Sequence, residues 1–173
     1  MDEAEFLRAT MGSMDLVYNL ARRMVRSPDE VQDLVQETYL SAFRAWSERR
    51  RPRKVEPWMA TICLNLGRST WRRRARGAVE VSFDDLGELP AASDTESDAL
   101  AAIDRERLHD AMWRLPEEQR IALTLVDLGG LSTREAAKAM GTPQGTVLSR
   151  LHRGRRALAM LLDQRKSERK DPR

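Results

Sequence analysis

Apolar residues recur at three- and four-residue intervals along almost the whole chain, the spacing of α-helices, and no stretch alternates as a strand would. Phe6, Leu7, Met14, Val17, Ala21 and Met24 form the first series, with a break expected near Gly12-Ser13. A second series begins at "SPDE", where Ser27 suits an N-cap, Pro28 the first helical position and Glu30 a capping box. That helix should run to about Trp46, burying Val31, Leu34, Val35, Thr38, Ala42 and Trp46. "RRRPRKVEP" reads as a loop, and Pro57 opens a helix to about Arg74 with Trp58, Met59, Ile62, Cys63 and Leu66 inward.

From Gly77 the periodicity fades into "GAVEVSFDDLGELPAASDTESDA", a segment of Gly, Pro, Ser and acids expected to be a flexible linker. Helix resumes near Ala99 and reaches Arg114; another starts at Pro116 and stops at Gly129-Gly130. "STRE" predicts a capping box from Ser132 to Glu135 opening a short helix that Gly141 ends. Thr142 is then expected to cap a last helix with Pro143 at its first position.

On a helical wheel that last helix carries Val147, Leu151, Gly154, Leu158, Leu161 and Leu162 on one side. Thr146, Ser149, His152, Arg153 and Arg156 fall on the other. The helix before it is short and small on its inner side, with Ala136, Ala137 and Met140, so the two can cross closely over a Gly-containing turn. This is the pattern of a helix-turn-helix, whose second helix enters a DNA major groove. Arg150 and Arg153 are candidates for base or phosphate contacts, and Ser149 and His152 can donate or accept at either.

The expected fold is therefore all-α: two small helical domains joined by a flexible acidic linker, the second a helix-turn-helix. The boundaries are 1–76 for the first domain, 77–103 for the linker, 104–163 for the second domain and 164–173 for a basic disordered tail. A chain of 173 residues accommodates this. Charge follows the same division: ten basic residues and one acid, Glu56, between Arg49 and Arg76, then seven acids and no base between Val79 and Ile103. Basic blocks of this kind face a polyanion. In the first of them Thr61, Asn65, Arg68 and Arg72 share one side of a helix, with Leu64 and Trp71 beside them. A Trp among arginines and an amide suits unstacked bases.

The remaining chemistry is mostly exclusion. The single cysteine, Cys63, rules out an internal disulfide framework. The acidic start "MDEAEFLRAT" is unlike a signal peptide and no apolar run would span a membrane, so a cytoplasmic protein without membrane insertion is expected. There is no Walker motif and no zinc-ligand spacing, and His109 and His152 have no Cys or His nearby in sequence. Neither a cofactor nor a metal is expected. The acids lie in a linker that cannot hold a carboxylate pair rigidly, so an enzyme is not expected either. Leu40 sits amid Asp33, Gln36, Glu37 and Arg44 on the outward face of its helix, which suggests a docking face for a basic partner.

"DEVQDLVQETYLSAFRAW", "EPWMATICLNLGRSTWRRRAR" and "LPEEQRIALTLVDLGGLSTREAAKAMGTPQGTVLSRLHRGRRAL", in that order, resemble bacterial extracytoplasmic-function (ECF) sigma factors. The resemblance covers roughly Phe6–Arg76 and Arg105–Leu162. It implies a subunit that binds core RNA polymerase and directs promoter recognition and DNA melting. It assigns Asp33, Leu34, Gln36, Glu37 and Leu40 to core docking. Thr61, Asn65, Arg68, Trp71 and Arg72 would serve the promoter −10 element, with Asn65 at the flipped-base pocket. Arg134, Thr146, Leu148, Ser149, Arg150, His152 and Arg153 would serve the −35 element. Leu148 and Thr61 depart from the family pattern, each standing where a basic residue is common. An anti-sigma factor is a further partner the resemblance implies. The competing reading is a free-standing helix-turn-helix regulator of duplex DNA, which would leave the "DLVQET" face without a role.

Overall fold

The computed structural model describes residues 2–48, 51–76 and 96–168, with side chains over 3–48, 51–69 and 104–163. Every regular element among them is helical: α1 (Asp2–Thr10), a 3-10 turn at Met11–Ser13, α2 (Met14–Met24), α3 (Pro28–Ser47), α4 (Val55–Arg76), α5 (Glu96–Trp113), α6 (Glu117–Leu123) continuing into a π turn at Thr124–Leu128, α7 (Thr133–Met140) and α8 (Gln144–Glu168). Helices α1–α4 form one domain and α5–α8 the other.

In the first domain the break expected near Gly12 is the 3-10 turn. Thr10 and Ser13 return their hydroxyls to the carbonyls of Phe6 and Thr10 there, at 2.8 and 2.6 Å. Helix α3 starts where expected: Pro28 occupies the first turn, and Ser27 N–H donates to Glu30 Oε2 at 3.4 Å to close the capping box. Helix α1 is pinned by Phe6, whose ring meets Tyr39, Phe43 and Trp46 edge-on, with centroids 6.3, 5.3 and 5.8 Å away. Leu7, expected inward with Phe6, faces out instead, since Phe6 alone fills that position. Leu16, Val17, Leu20 and Ala21 of α2 pack with Val31, Leu34 and Ala42 of α3 and Met59, Ala60 and Cys63 of α4.

In the second domain, Ser132 and Glu135 form the reciprocal cap of α7: Ser132 N–H donates to Glu135 Oε2 at 2.9 Å and Glu135 N–H to Ser132 Oγ at 3.3 Å. Gly141 ends the helix at φ 65°, where a side chain would be strained. Thr142 does not cap α8 as expected. Its hydroxyl is buried without a hydrogen-bond partner, and the Pro143 carbonyl instead accepts from Thr146 and Val147 N–H at 3.0 and 3.3 Å.

Two boundaries differ from the expected ones. Helix α5 begins at Glu96, inside the stretch assigned to the linker, because helix-forming Ala99, Leu100, Ala101 and Ala102 extend it upstream. Helix α8 reaches Glu168, inside the expected tail, since no Gly or Pro follows Gly154 before Pro172. The rest of the linker, 77–95, and the final residues 169–173 lie outside the described residues.

The domains share one core, a feature the periodicity did not predict. Helix α2 packs on α6 and the π turn, and α4 packs on α7. The π turn matters here. Gly129 N–H donates to Thr124 O at 2.8 Å, which brings the Gly129 backbone against Leu16 of α2. A Cβ on Gly129 would meet the Leu16 side chain and lie 2.9 Å from the Leu125 carbonyl oxygen, which cannot swing away.

Gly129→Ala is therefore expected to destabilise the protein by roughly 1–3 kcal/mol through overpacking at the domain contact. Gly12→Ala, with open space around its Cβ, should stay within about 0.5 kcal/mol. Urea midpoints of the two variants and the parent check this; equal midpoints would refute it.

Candidate polymerase-facing and DNA-facing surfaces

On α3, Asp33, Gln36, Glu37 and Leu40 all point to solvent, and Leu40 remains 51% exposed in the middle of that polar face. Leu34, grouped with them by resemblance, is only 7% exposed and packs in the core, because its position along the helix turns it toward α2 and α4. It supports the face from beneath rather than lining it.

On α4, Asn65 is exposed, while Thr61 is half-buried and donates its hydroxyl to the Pro57 carbonyl at 2.7 Å, within its own helix. Leu64, expected beside them at the surface, is fully buried because α7 lies against that side of α4. Arg68 points the same way: it donates Nη1 to the carbonyl of Met140, the last residue of α7, at 3.2 Å, and brings Nη2 to 3.3 Å from Glu118 Oε1. Trp71 and Arg72 fall on α4, but their side chains lie outside the described residues.

On α8, Val147, Leu151 and Gly154 are buried as the wheel predicts, and Leu148, Ser149, His152, Arg153 and Arg156 are exposed. Arg153 lies along the helix, with Nε 3.3 Å from Ser149 O and Nη2 3.3 Å from Ser149 Oγ. Arg134 on α7 is exposed and Thr146 is half-buried. Arg150 is turned away from this face: its Nη1 sits 2.9 Å from Glu118 Oε2, an ion pair without hydrogen-bond alignment. The structure thus leaves Arg134, Leu148, Ser149, His152 and Arg153 exposed and turns Arg150 onto Glu118.

Between the domains lies a cationic cluster. Arg120 of α6 donates Nε to the Arg23 carbonyl at 2.7 Å and Nη1 to the Leu115 carbonyl at 3.0 Å, and its guanidinium stacks 4.1 Å from the centre of the Trp113 ring. Arg26 lies over Trp113 as well, at 4.7 Å. Arg23 is buried, its pKa lowered to about 10 by desolvation and then by Arg22 and Arg120. Its Nη1 contacts His109 Nδ1 on α5. A guanidinium can only donate, so His109 Nδ1 is the acceptor and the ring is neutral. Burial, then Arg23 and Arg22, pull the His109 pKa down to about 4; Arg120 adds to the effect and Asp110 opposes it.

Arg23, His109, Glu118 and Arg120 were not legible as a group, since Arg23 lies on α2, far along the chain from the α5 and α6 that carry the others. "LPEEQR" signals only a helix start, with no hint of what Glu118 and Arg120 meet. Cys63 is buried and its thiol pushed up to about 12 by burial, as befits a core residue. Among the described residues no group of three or more His, Cys, Asp or Glu could hold a metal ion, and no helix is long and apolar enough to cross a membrane.

Residues 13–77 match Sigma-70 region 2, and residues 105–158 match Sigma-70, region 4. The pairing defines a sigma factor, a promoter-specificity subunit of RNA polymerase. The RNA polymerase sigma-E factor of Streptomyces coelicolor is 32% identical over 160 residues, covering 92% of this chain and 85% of that one. The ECF RNA polymerase sigma factor SigE of Mycolicibacterium smegmatis is 35% identical over 158 residues, covering 89% of this chain; the chain spans 60% of that relative's length. The sigma factor RpoE of Bartonella quintana, solved in complex with the anti-sigma factor NepR, superposes with a TM-score of 0.77 at 25% identity, covering 92% of this chain and 97% of that one. The chain belongs to the ECF RNA polymerase sigma factors. A free-standing regulator would leave the region 2 match without a role and is not favoured.

The His109 contact makes stability depend on pH. An unfolded histidine titrates near 6.5, so as pH falls the unfolded chain takes up a proton before the folded one does. The stability from neutral His109 is present above about pH 6.5 and is lost as pH falls toward about 4. His109→Asn keeps an acceptor for Arg23 without a titrating group, and it should flatten the decline across this window. Urea midpoints at successive pH values check this; parallel declines in both proteins would contradict it.

Proposed function

We propose that the chain binds core RNA polymerase through the exposed face of α3, with Asp33, Gln36, Glu37 and Leu40 as its contacts. The observation that carries this is Leu40: an apolar side chain, half exposed among acids and amides, on the helix of the "DLVQET" string. Acidic groups around an apolar centre suit a basic partner, with charge steering the encounter and the leucine desolvated on docking.

Once docked, the first domain presents α4 to the promoter −10 element, where Asn65 receives an unstacked base and Arg68, Trp71 and Arg72 hold the strand. Base capture and stacking, rather than nucleotide hydrolysis, drive the opening. The second domain places the N-terminal half of α8 in the major groove at the −35 element, with Ser149, His152 and Arg153 nearest the base edges and Arg134 and Arg150 on phosphates. Leu148, where a cation would meet phosphate, instead offers apolar contact to a thymine methyl. The chain acts in the cytoplasm, has no catalytic activity of its own, and is held in check by an anti-sigma factor, a reading supported by the NepR complex of the Bartonella relative.

The test is co-migration of the purified protein with core RNA polymerase on size exclusion. Wild type should co-migrate. Asp33→Arg combined with Glu37→Arg should weaken binding by roughly 10-fold or more, as charge reversal at an electrostatically complementary interface does. Undiminished co-migration of the double variant would remove α3 from the interface.

A further inference from the structure

Arg68 on α4 and Arg150 on α8, which the family resemblance assigns to two separate DNA contacts, converge on one carboxylate. Glu118 on α6 offers Oε1 to Arg68 at 3.3 Å and Oε2 to Arg150 at 2.9 Å. The arginine side chains are 23% and 18% exposed and Glu118 40%, so neither guanidinium is free in solvent. Arg68 is held a second time, through the Met140 carbonyl. Just before α4, Lys54 reaches Glu135 of α7 at 2.5 Å, another ion pair between the two domains.

A carboxylate and a DNA phosphate present a guanidinium with the same feature, an anionic oxygen at hydrogen-bond distance. We propose that Glu118 is an autoinhibitory clamp: standing in for phosphate, it holds Arg68 across the domain contact and Arg150 within its own domain, and keeps the free chain off DNA until the domains part. The proposal rests on the assignment of Arg68 and Arg150 to DNA contacts. Partly solvated ion pairs are individually weak, so Arg68–Glu118 and Lys54–Glu135, the two that cross the domain contact, hold the closed form without locking it. Separation of the domains takes Arg68 off Glu118 and leaves Arg150, which shares a domain with Glu118, held by one weak pair that a phosphate can displace.

The experiment is fluorescence anisotropy of the free, full-length protein with a labelled forked duplex of mixed sequence, titrated at several salt concentrations. Glu118→Gln is isosteric and removes the charge. It should tighten binding by about 3–10-fold and steepen the log–log salt slope by up to about 0.9 for each arginine released. Glu106→Gln, which removes an exposed charge of the same domain elsewhere, should leave both unchanged. Adding Arg68→Ala and Arg150→Ala to Glu118→Gln should cancel the gain. An unchanged affinity for Glu118→Gln, an equal gain for Glu106→Gln, or a gain that survives loss of both arginines would each overturn the clamp. Glu118→Ala gives the same reading if the Gln variant folds poorly. Promoter binding by the polymerase complex carrying Arg68→Ala and Arg150→Ala separates the two levels. A loss there with no Glu118 effect in the free protein sinks only the clamp, whereas no loss there sinks the DNA assignment itself.

Discussion

The arrangement of the two domains depends on where one buried guanidinium sends its hydrogen bonds. Arg120 reaches from α6 to the Arg23 carbonyl in the last turn of α2, one of the carbonyls a helix end leaves without an intrahelical partner. With its other arm it satisfies the Leu115 carbonyl in the turn between α5 and α6, and Trp113 covers its face. The negative end of the α2 dipole makes this a tolerable place for a buried cation. Around that anchor, Leu16 settles against Gly129 and α4 against α7, so two domains with small cores of their own bury a joint one.

The consequence for function is an order of events. In the closed form the α3 face, with Leu40 at its centre, remains open, whereas Arg68 and Arg150 are turned onto Glu118 and the Leu64 side of α4 is covered by α7. The surface assigned to polymerase is available from the start; the surfaces assigned to DNA are in part occupied by the protein itself. On this account docking comes first and DNA contact second. The polar character of the clamp keeps that sequence reversible, because ion pairs exchange for phosphate or water at little net cost.

Much of this was readable from residue order. The capping boxes at Ser27 and Ser132, the left-handed stop at Gly141 and the stripe Val147–Leu151–Gly154 are local signals, set by neighbours within a few residues, and they appear where expected. What failed depended on contacts between distant helices. Leu64 was assigned to the surface because the wheel of α4 has no knowledge of α7, and the pairing of Arg150 with Glu118 was not foreseen because nothing near Arg150 in sequence announces Glu118. Leu34 was drawn into the docking set by its motif, although its helical phase puts it in the core. The π turn at Thr124–Leu128 has no sequence signature beyond the glycines that end it, yet it creates the Gly129 approach to Leu16.

The central claim is that the free protein is closed and that polymerase opens it. The most direct test is the distance between spin labels on Ser47→Cys and Met160→Cys, one exposed position in each domain, measured free and bound to core polymerase. Cys63, buried with its thiol pushed up to about 12, stays unlabelled. The account predicts one narrow, short distance in the free protein that gives way to a longer one on binding. A long or broad distribution in the free protein, or the same distance in both states, would contradict it.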